Sequence, residues 1–89
     1  DYLTFIQHLR DKRAKAKISL RPGRLQLGNP GDVKPVGQGI SEMRIDYGPG
    51  YRIYYKQRGQ DLIVLLCGGD KSTQAKDIAN AKQIALEYD

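Results

Sequence analysis

The stretch SEMRIDYGPGYRIYYKQR, residues 41–58, decides the fold, because its apolar and polar side chains alternate on both sides of a glycine-proline-glycine turn. Alternation with a period of two is typical of half-buried β-strands, and the turn at residues 48–50 predicts that the two strands pair as an antiparallel hairpin. The side chains predicted on the apolar side are Met43, Ile45, Tyr47, Tyr51, Ile53 and Tyr55. Those predicted on the other side are Glu42, Arg44, Asp46, Arg52, Tyr54, Lys56 and Arg58.

Two further strand candidates flank the hairpin. Residues 27–39 hold four glycines and two of the four prolines, which indicates a loop with a short edge strand at 33–36. After a second turn at 59–60, the run DLIVLLC at 61–67 is apolar on both of its faces. This pattern predicts a central strand, and the glycine pair at 68–69 is expected to end it.

Helical spacing of apolar residues predicts two helices before this sheet and one after it. The first two follow from the stripes Tyr2, Phe5 or Ile6, Leu9 and then Ala14, Ile18, Leu25. Polar residues 10–13 would join these helices as an antiparallel pair, and the proline and glycine at 22–23 are expected to stop or kink the second one. The last helix is predicted over 71–88, with Asp70 or Ser72 as its cap. Its apolar stripe is Ala75, Ile78, Ala81, Ala85 and Tyr88.

The element order is therefore helix, helix, four strands and helix. This order predicts an α+β fold in which helices pack on an antiparallel sheet. With 89 residues, the chain is expected to form one domain with one modest core. Because it begins at Asp1 rather than at a methionine, some N-terminal sequence is expected to be missing.

The positive charge of the chain is concentrated in its N-terminal third. Residues 1–28 carry seven basic and two acidic side chains, whereas residues 29–89 carry eight of each. This surplus favours an anionic partner such as nucleic acid, a membrane surface or an acidic protein segment. A solvated basic face that only aids solubility explains the same pattern, and composition does not choose between the two interpretations.

Cys67, the single cysteine, lies in the apolar run and is interpreted as a small core residue, which fits a reducing compartment. No apolar run is long enough to cross a bilayer and no signal-peptide pattern opens the chain, so a cytoplasmic protein without membrane contact is predicted. His8 is interpreted as a surface or half-buried helix residue. One histidine and one cysteine far apart do not make a zinc site, and no phosphate loop of the form GxxxxGK[ST] is present. No metal and no cofactor are expected.

A polar constellation remains as the candidate site. Arg44 and Arg52 have matching parity on neighbouring strands, so both can emerge on one face, and Lys71 follows the last strand at the end of the sheet. Planar guanidinium groups suit phosphate, and two or three cations around one phosphate stabilise the extra negative charge of a phosphoryl transition state. Exposed tyrosines such as Tyr54 are expected to stack on unpaired bases.

An ordinary antiparallel sheet with one solvated face would show the same alternation without any function. In that case Glu42 and Asp46 would simply pair across strands with Arg52 or Lys56. The residues by themselves leave both interpretations open.

Two segments resemble a known family. LGNPGDVKPVGQGISEMRIDYGPGYRIYY at 27–55 and LLCGGDKSTQAKDIANAK at 65–82 are similar to the HigB-type toxins of the RelE/ParE superfamily, often labelled addiction module killer proteins. The resemblance covers residues 9–86 and implies a helical hairpin packed on a curved antiparallel sheet, with a further C-terminal helix. Relatives usually begin with a short edge strand, and they continue as an uninterrupted helix where this chain has proline and glycine at 22–23.

This resemblance implies a toxin of a type II toxin–antitoxin system, neutralised by a HigA-like helix-turn-helix antitoxin in a hetero-oligomeric complex bound to operator DNA. RelE-like members cleave mRNA in the ribosomal A site, so the ribosome and mRNA are the other expected partners. Arg52 looks like the arginine that holds the scissile phosphate, Arg44 like a basic residue that contacts or activates the same site, and Lys71 like the basic residue after the last strand. Further RNA contacts are predicted for Lys34, Tyr47, Tyr54, Lys56 and Arg58.

The implied reaction is a metal-independent attack of a 2′-hydroxyl on the adjacent phosphate, which gives a cyclic phosphate and a free 5′-hydroxyl. The three cations would stabilise charge, while the proton acceptor and donor stay unassigned among a lysine, Asp70 and a tyrosine. Two alternatives remain open: a non-catalytic ParE-like gyrase inhibitor, and an inactive toxin fold that acts only as a co-repressor. The fold alone does not choose among them.

Overall fold

The computed structural model of the chain describes residues 1–28, 31–59 and 62–87. Four strands form one antiparallel sheet in the order β1-β2-β3-β4, and helices lie on both of its faces. The elements are α1 (Tyr2–His8), α2 (Lys12–Gln26), β1 (Val33–Gly37), β2 (Ile40–Ile45), β3 (Tyr51–Arg58), β4 (Leu62–Asp70), a 3-10 turn (Lys71–Thr73) and α3 (Gln74–Leu86). The predicted α+β class, with helices on an antiparallel sheet, is confirmed at this level.

The hairpin of β2 and β3 lies at the centre of the sheet and presents its apolar side to the N-terminal helices. Met43 lies opposite Ile53, and both are fully buried. Ala14 and Ile18 of α2 belong to the same core. Half-buried side chains from the first predicted helical stripe complete it: Tyr2, Phe5, Ile6 and Leu9. The predicted apolar side of the hairpin and both N-terminal stripes are therefore confirmed.

The opposite face of the sheet is largely covered by α3, contrary to the solvated face expected in one interpretation of the alternation. The cross-strand pair of Glu42 and Arg52 that the same interpretation expects is present, with the two side chains 3.5 Å apart. This second core consists of Ile40, Tyr54, Leu66, Cys67, Ala81 and Ala85. Tyr54 is expected from the sequence to be exposed, but its side chain is completely buried. The small side chains of Ala81 and Ala85 let the helix approach the sheet closely, so the tyrosine ring fills the space between them.

The second helix is not stopped by the proline and glycine that are expected to stop or kink it, and α2 ends at Gln26. Pro22 removes one backbone donor, but tertiary contacts hold the turns that follow. The guanidinium of Arg21 donates to the backbone carbonyl of Arg44 at 2.6 Å, and Leu25 packs on the first core. These contacts attach the end of the helix to the sheet, so the helix continues.

The fourth strand differs from its prediction in place and in length. Among the described strands β4 lies at an edge rather than in the centre, and it continues to Asp70 through the glycines expected to end it. Its apolar pattern arises because helices cover both faces. Phe5 of α1 lies against Gly68, and Asp77 of α3 lies against Gly69. A β-carbon at either glycine would overlap these side chains, so both glycines serve close packing.

A bulge in β4 makes this arrangement possible. Tyr54 pairs with Cys67 and Tyr55 pairs with Leu65, so Leu66 is an extra residue. Leu66 and Cys67 therefore both belong to the core beneath α3, and the glycines that follow return to alternating faces. Strict alternation would place Leu66 and Cys67 on opposite faces of the sheet. The bulge breaks this alternation, so both face α3.

The C-terminal helix begins later than predicted. The carboxylate of Asp70 caps the 3-10 turn by accepting from the backbone N–H of Ser72 at 2.8 Å, and α3 starts at Gln74. Ala75, a member of the predicted apolar stripe, is exposed. The next three members of the stripe pack on the second core, whereas Tyr88 lies outside the described residues.

The first strand confirms the short edge strand that is expected at 33–36, since β1 lies at the other edge of the sheet. The predicted turn at 59–60 is described only at Gly59, which has a φ of 63°. Within the described ranges, no helix is both long enough and apolar enough to span a membrane.

Candidate functional site

The polar side of the central hairpin converges on one carboxylate, that of Glu42 on β2. Its Oε1 accepts a hydrogen bond from Nε of Arg44 at 2.9 Å, and Nε of Arg52 lies 3.5 Å from the same oxygen. Its Oε2 accepts from the hydroxyl of Tyr54 at 3.0 Å and from the side-chain amide of Gln74 at 2.9 Å. Two strands and the start of α3 therefore meet at one side chain, and these five residues are called the Glu42 cluster below.

The register of the hairpin explains this convergence. Glu42 and Arg44 are two residues apart on β2 and share a face, and their partners on β3 are Tyr54 and Arg52 respectively. Arg44 and Arg52 are thus direct cross-strand partners. Because like charges placed opposite each other on a sheet repel, the carboxylate beside them is needed to keep the two guanidinium groups together.

Glu42 is completely buried, yet its surroundings keep it ionised. Burial alone raises the pKa of a carboxyl group. Hydrogen bonds from Arg44, Gln74 and Tyr54, with the charge of the second arginine, outweigh burial and lower the pKa of this group below its ordinary value. Burial and then the neighbouring carboxylate raise the pKa of the Tyr54 phenol. The phenol therefore stays protonated and acts as a donor.

Most of the Arg52 side chain is buried in contacts within the protein. Its side chain is 10% exposed, and its Nη1 donates to the carbonyl of Gly50 at 3.0 Å. Its Nε is buried beside Glu42 without a well-directed hydrogen bond. Among the described residues, its Nη2 has no hydrogen-bond partner. Arg44 is more exposed, with 36% of its side chain accessible to solvent. An anion could therefore contact the Arg44 guanidinium and the Nη2 side of Arg52.

A cavity of about 210 Å³, called the arginine cavity below, opens beside both arginines at the turn end of the hairpin. It is lined by Asp32, Arg44, Ile45, Asp46, Gly50, Tyr51 and Arg52. Lys71 is exposed and also lies close to Gly50. A β-carbon placed on Gly50 would be 3.5 Å from Nη1 of Arg52 and 3.6 Å from Cβ of Lys71, so both side chains approach the same glycine. The structure thus places the three cationic residues of the predicted site at one end of the sheet.

The turn that borders the cavity is attached to α2. The hydroxyl of Tyr47 donates to the carboxylate of Asp11 at 3.0 Å, and Nζ of Lys17 lies 5.5 Å from the centre of the Tyr47 ring. Backbone hydrogen bonds at the start of α2, and then the Tyr47 hydroxyl, lower the pKa of Asp11. Gly48 and Gly50 have φ angles of 58° and 80°, which glycine adopts without strain. The turn therefore has a defined position relative to the helix.

The other predicted RNA contacts lie away from this cavity. Lys34 of β1 is exposed, and its backbone lies opposite that of Glu42 in the strand register. Lys56 is half-buried on β3. Arg58 is exposed at the end of β3. Tyr54 lies beneath α3, so its ring is not available to stack on a base. None of these four described side chains lines the arginine cavity.

Sequence reasoning missed two contributors to the site. Gln74 binds Glu42 from 32 positions away along the chain, and a polar residue at a helix start carries no signal for such a contact. Asp32 lies in a loop, and its backbone carbonyl accepts from the N–H of Arg44 at 2.9 Å. The one available signal is the alternation itself, because an acidic residue two positions before Arg44, with another arginine beyond the turn, indicates a shared carboxylate.

Other reactive groups lie apart from the arginine cavity. Burial raises the pKa of the Cys67 thiol to about 11, and its Sγ lies 3.5 Å from the carbonyl of Asp77, which confirms its interpretation as a core residue. His8 is exposed on α1, where its Nδ1 lies 2.7 Å from the carbonyl of Thr4. In the described part of the chain, no three His, Cys, Asp or Glu side chains are grouped so as to hold a metal ion.

Comparison with known proteins gives the family. The sequence pattern of the family described as phage derived protein Gp49-like (DUF891) matches residues 6–87. The chain belongs to the Gp49-like family. A relative from Haemophilus influenzae (strain Rd), which carries the name "Uncharacterized protein", is 56% identical over 84 residues, or 94% of this chain and 85% of the relative. No solved structure matches the chain.

The Gp49-like family is associated with the toxins of toxin–antitoxin systems, and membership implies an antitoxin as a partner in general terms. The resemblance seen in the sequence is confirmed at the level of a toxin-like family. All residues of the Glu42 cluster and of the arginine cavity fall inside the matched span. The candidate site therefore belongs to the part of the chain that defines the Gp49-like family.

Proposed function

We propose that this Gp49-like protein is the toxin of a type II toxin–antitoxin system and acts as a ribosome-dependent mRNA endonuclease of the HigB type. The observation that carries the proposal is that Arg44 and Arg52 are cross-strand partners beside an open cavity, with Lys71 next to Gly50 of its lining. Planar guanidinium donors beside a small open cavity suit the oxygens of a phosphodiester. A HigA-like antitoxin that covers this end of the sheet would neutralise the protein.

In this mechanism the scissile phosphate lies in the arginine cavity. Arg44 donates to the phosphate oxygens, and the Nη2 edge of Arg52 adds a second donor. The 2′-hydroxyl oxygen forms a bond to phosphorus while the bond from phosphorus to the 5′ oxygen breaks. The 5′ oxygen leaves as a hydroxyl after taking a proton from solvent water, and the other product is a 2′,3′-cyclic phosphate. The cations stabilise the extra charge that develops on the phosphorus oxygens.

Glu42 is a positioning residue in this scheme. Its carboxylate holds both guanidinium groups before the substrate arrives, so little freedom is lost when the phosphate binds. It is fully buried and both of its oxygens accept hydrogen bonds from other side chains. It is therefore out of reach for proton transfer with the substrate.

The proton of the 2′-hydroxyl needs an acceptor, and the carboxylates that line the cavity are Asp32 and Asp46. Tyr54 does not serve, because it is buried and its pKa is raised. Asp70 is occupied by the turn that it caps. We assign the role to Asp32 or Asp46, and asparagine substitution at each position in turn, with cleavage as the readout, identifies which one.

The burial of Arg52 also favours a second candidate, a non-catalytic toxin of the same fold such as a gyrase inhibitor. Two nitrogen atoms of Arg52 lie against Glu42 and the Gly50 carbonyl, and little of the side chain is exposed. An arginine that only holds the hairpin together would have the same contacts. Such a toxin would stop growth without cutting transcripts.

Expression of the chain without an antitoxin, followed by mapping of transcript 5′ ends, separates the two candidates. With the wild type we expect new 5′-hydroxyl ends inside translated messages. Arg44→Gln is the main variant, because Arg44 is partly exposed and its removal leaves Glu42 beside Arg52. It should yield about 10²–10³-fold fewer ends. Arg52→Ala is the second variant, compared after its circular dichroism and melting temperature show that it is folded.

The matched control is Lys76→Gln, which removes an exposed cation of α3 that does not line the cavity, and it should cut as the wild type does. An Arg44→Gln variant that cuts as well as the wild type would show that the site is assigned wrongly. Growth arrest without new 5′ ends, together with inhibition of supercoiling by the purified protein, would establish the second candidate instead.

A further inference from the structure

The second helix is strongly basic. Lys12–Gln26 contains six lysine or arginine residues and no acidic residue. Its buried face is set by Ala14 and Ile18. Successive residues of an α-helix are separated by about 100°, so one flank of this buried face carries Arg13, Lys17, Leu20 and Arg24. Three of these four side chains are cations on one side of the helix, and all four are exposed.

Three residues of this flank, Lys17, Leu20 and Arg24, line a groove that shares two lining residues with the arginine cavity. The groove has a volume of about 260 Å³ and is lined by Lys17, Leu20, Arg21, Arg24, Ile45 and Asp46. Ile45 and Asp46 also line the arginine cavity, so the two depressions meet at the end of β2. The hydrogen bond from Arg21 to the carbonyl of Arg44 fastens one wall of the groove to the hairpin. The three cations of this groove, Lys17, Arg21 and Arg24, therefore lie beside the candidate site, on the α2 side of the end of β2.

We propose that the groove between α2 and the end of β2 binds single-stranded RNA on one side of the scissile phosphate, with Lys17 and Arg24 contacting the RNA backbone. This rests on the proposed endonuclease function, because a strand held at Arg44 is what would pass from the cavity into the groove. The groove adds two phosphate contacts outside the cleavage site. RNA affinity therefore depends on nucleotides beyond those at the cut.

Single-stranded RNA fits this groove better than an acidic protein segment does. RNA presents a charge at every nucleotide and gains affinity through phosphate contacts, and the exposed cations of the groove suit that kind of contact. Leu20, at 60% exposure, and the buried Ile45 are the only apolar side chains among the residues that line the groove. The position of the groove beside the arginine cavity, with Ile45 and Asp46 in both linings, also favours the substrate of that cavity as the occupant.

The test measures binding of a 2′-O-methyl uridine dodecamer, which lacks the nucleophile, in salt from about 50 to 200 mM. The test variant is Lys17→Gln/Arg24→Gln. The matched control is Lys12→Gln/Lys15→Gln, which removes the same charge from exposed positions of α2 outside the groove.

For the dodecamer, the slope of log affinity against log salt should fall in the test variant by about 1.4, since each phosphate contact to a single strand contributes about 0.7. The control should change that slope by less than half as much.

Equal changes of slope in the two double variants would overturn the proposal, because α2 would then act only through its overall charge. Failure of the wild type to bind the dodecamer at the lowest salt would overturn it as well. Binding of poly-glutamate that is tighter than binding of the dodecamer, and that is lost in the test variant, would assign the groove to an acidic protein. Cleavage is not a readout here, so the endonuclease proposal stands or fails by 5′-end mapping alone.

Discussion

At the scale of single residues, the site depends on an acidic side chain in a basic protein. Glu42 is completely buried, and donors from β2, β3 and α3 converge on its two oxygens. A buried charge is costly unless it is paired and hydrogen-bonded, and both conditions are met here. If the carboxylate is lost, Arg44 and Arg52 face each other without the acceptor that lies between them, and the second of them is nearly buried.

Glu42→Gln should lower the free energy of unfolding by about 3–5 kcal/mol, because it leaves a buried arginine without its partner. Urea unfolding at neutral pH measures this. Glu87→Gln makes the same change at an exposed position and should alter stability by less than about 0.5 kcal/mol. Equal effects of the two substitutions would contradict the role given to Glu42.

The same carboxylate predicts how stability depends on pH. The pKa of Glu42 is lower in the folded chain than its ordinary value of 4.5. The unfolded state therefore binds the proton more readily, and the stability that Glu42 contributes is present above pH 4.5 and is lost as the pH falls through the lowered pKa. Glu42→Gln should lose less stability than the wild type over this acidic range in unfolding experiments at a series of pH values.

Two glycines should respond to alanine with opposite signs. A β-carbon on Gly69 would overlap the carboxylate of Asp77, which also accepts a hydrogen bond from Thr73, so Gly69→Ala should destabilise the fold by about 1–3 kcal/mol. A β-carbon on Gly23 meets nothing within 4 Å, and Gly23 lies inside α2. Gly23→Ala should therefore stabilise by about 0.5–1 kcal/mol. Thermal unfolding of both variants checks the signs, and a stabilised Gly69→Ala would refute the close packing.

At the scale of elements, α2 shows how tertiary contacts can override a helix-breaking signal. Pro22 lacks a backbone donor, yet α2 continues to Gln26. The last turns are held by Arg21 and Leu25, which contact the sheet, rather than by their own propensity. The same attachment forms one wall of the groove beside the arginine cavity.

Arg21→Leu should free the end of α2 while its first turns stay in place. Loss of the hydrogen bond to the Arg44 carbonyl should lower overall stability by about 1–3 kcal/mol. Hydrogen exchange should accelerate more at residues 23–26 than at residues 14–18. Lys15→Leu replaces an exposed cation of the same helix and is the control. A uniform change along α2 would show that Arg21 does not anchor its C-terminal end.

At the scale of the whole molecule, one sheet separates two cores. The N-terminal helices cover one face and α3 covers the other, with Ile18 in the first core and Leu66 in the second. Neighbouring residues of β2 and β3 contribute to both, since Met43 belongs to the first core and Tyr54 to the second. Loss of either core should therefore destabilise the shared strands.

Ile18→Ala and Leu66→Ala should each lower the free energy of unfolding by about 2–5 kcal/mol within a single transition, because both cores rest on the same sheet. Far-ultraviolet circular dichroism and tyrosine fluorescence followed together in urea test whether the transition is shared. Leu86→Ala, at a position of α3 with 67% exposure, is the matched control and should have a small effect. Separate midpoints for the two probes would indicate that the cores unfold independently.

Much of the fold could be predicted from the sequence because the relevant signals are local. The alternation in residues 41–58, the glycine turn at 48–50 and the stripes of the N-terminal helices depend on residues only a few positions apart. These features place Arg44 and Arg52 on one face of a hairpin, and the motifs around them indicate a toxin-like family.

What covers each face was decided only by the tertiary structure. The burial of Tyr54, the edge position of β4, the passage of α2 beyond Pro22 and the hydrogen bond from Gln74 to Glu42 all arise from contacts between residues far apart in the chain. Periodicity reports that a side chain points to one side of an element, but not whether a helix, a charge or water lies there. The sequence therefore determined the hairpin and its two arginines, while contacts with the buried Glu42 carboxylate and the Gly50 carbonyl, which periodicity does not report, decided how little of Arg52 is exposed.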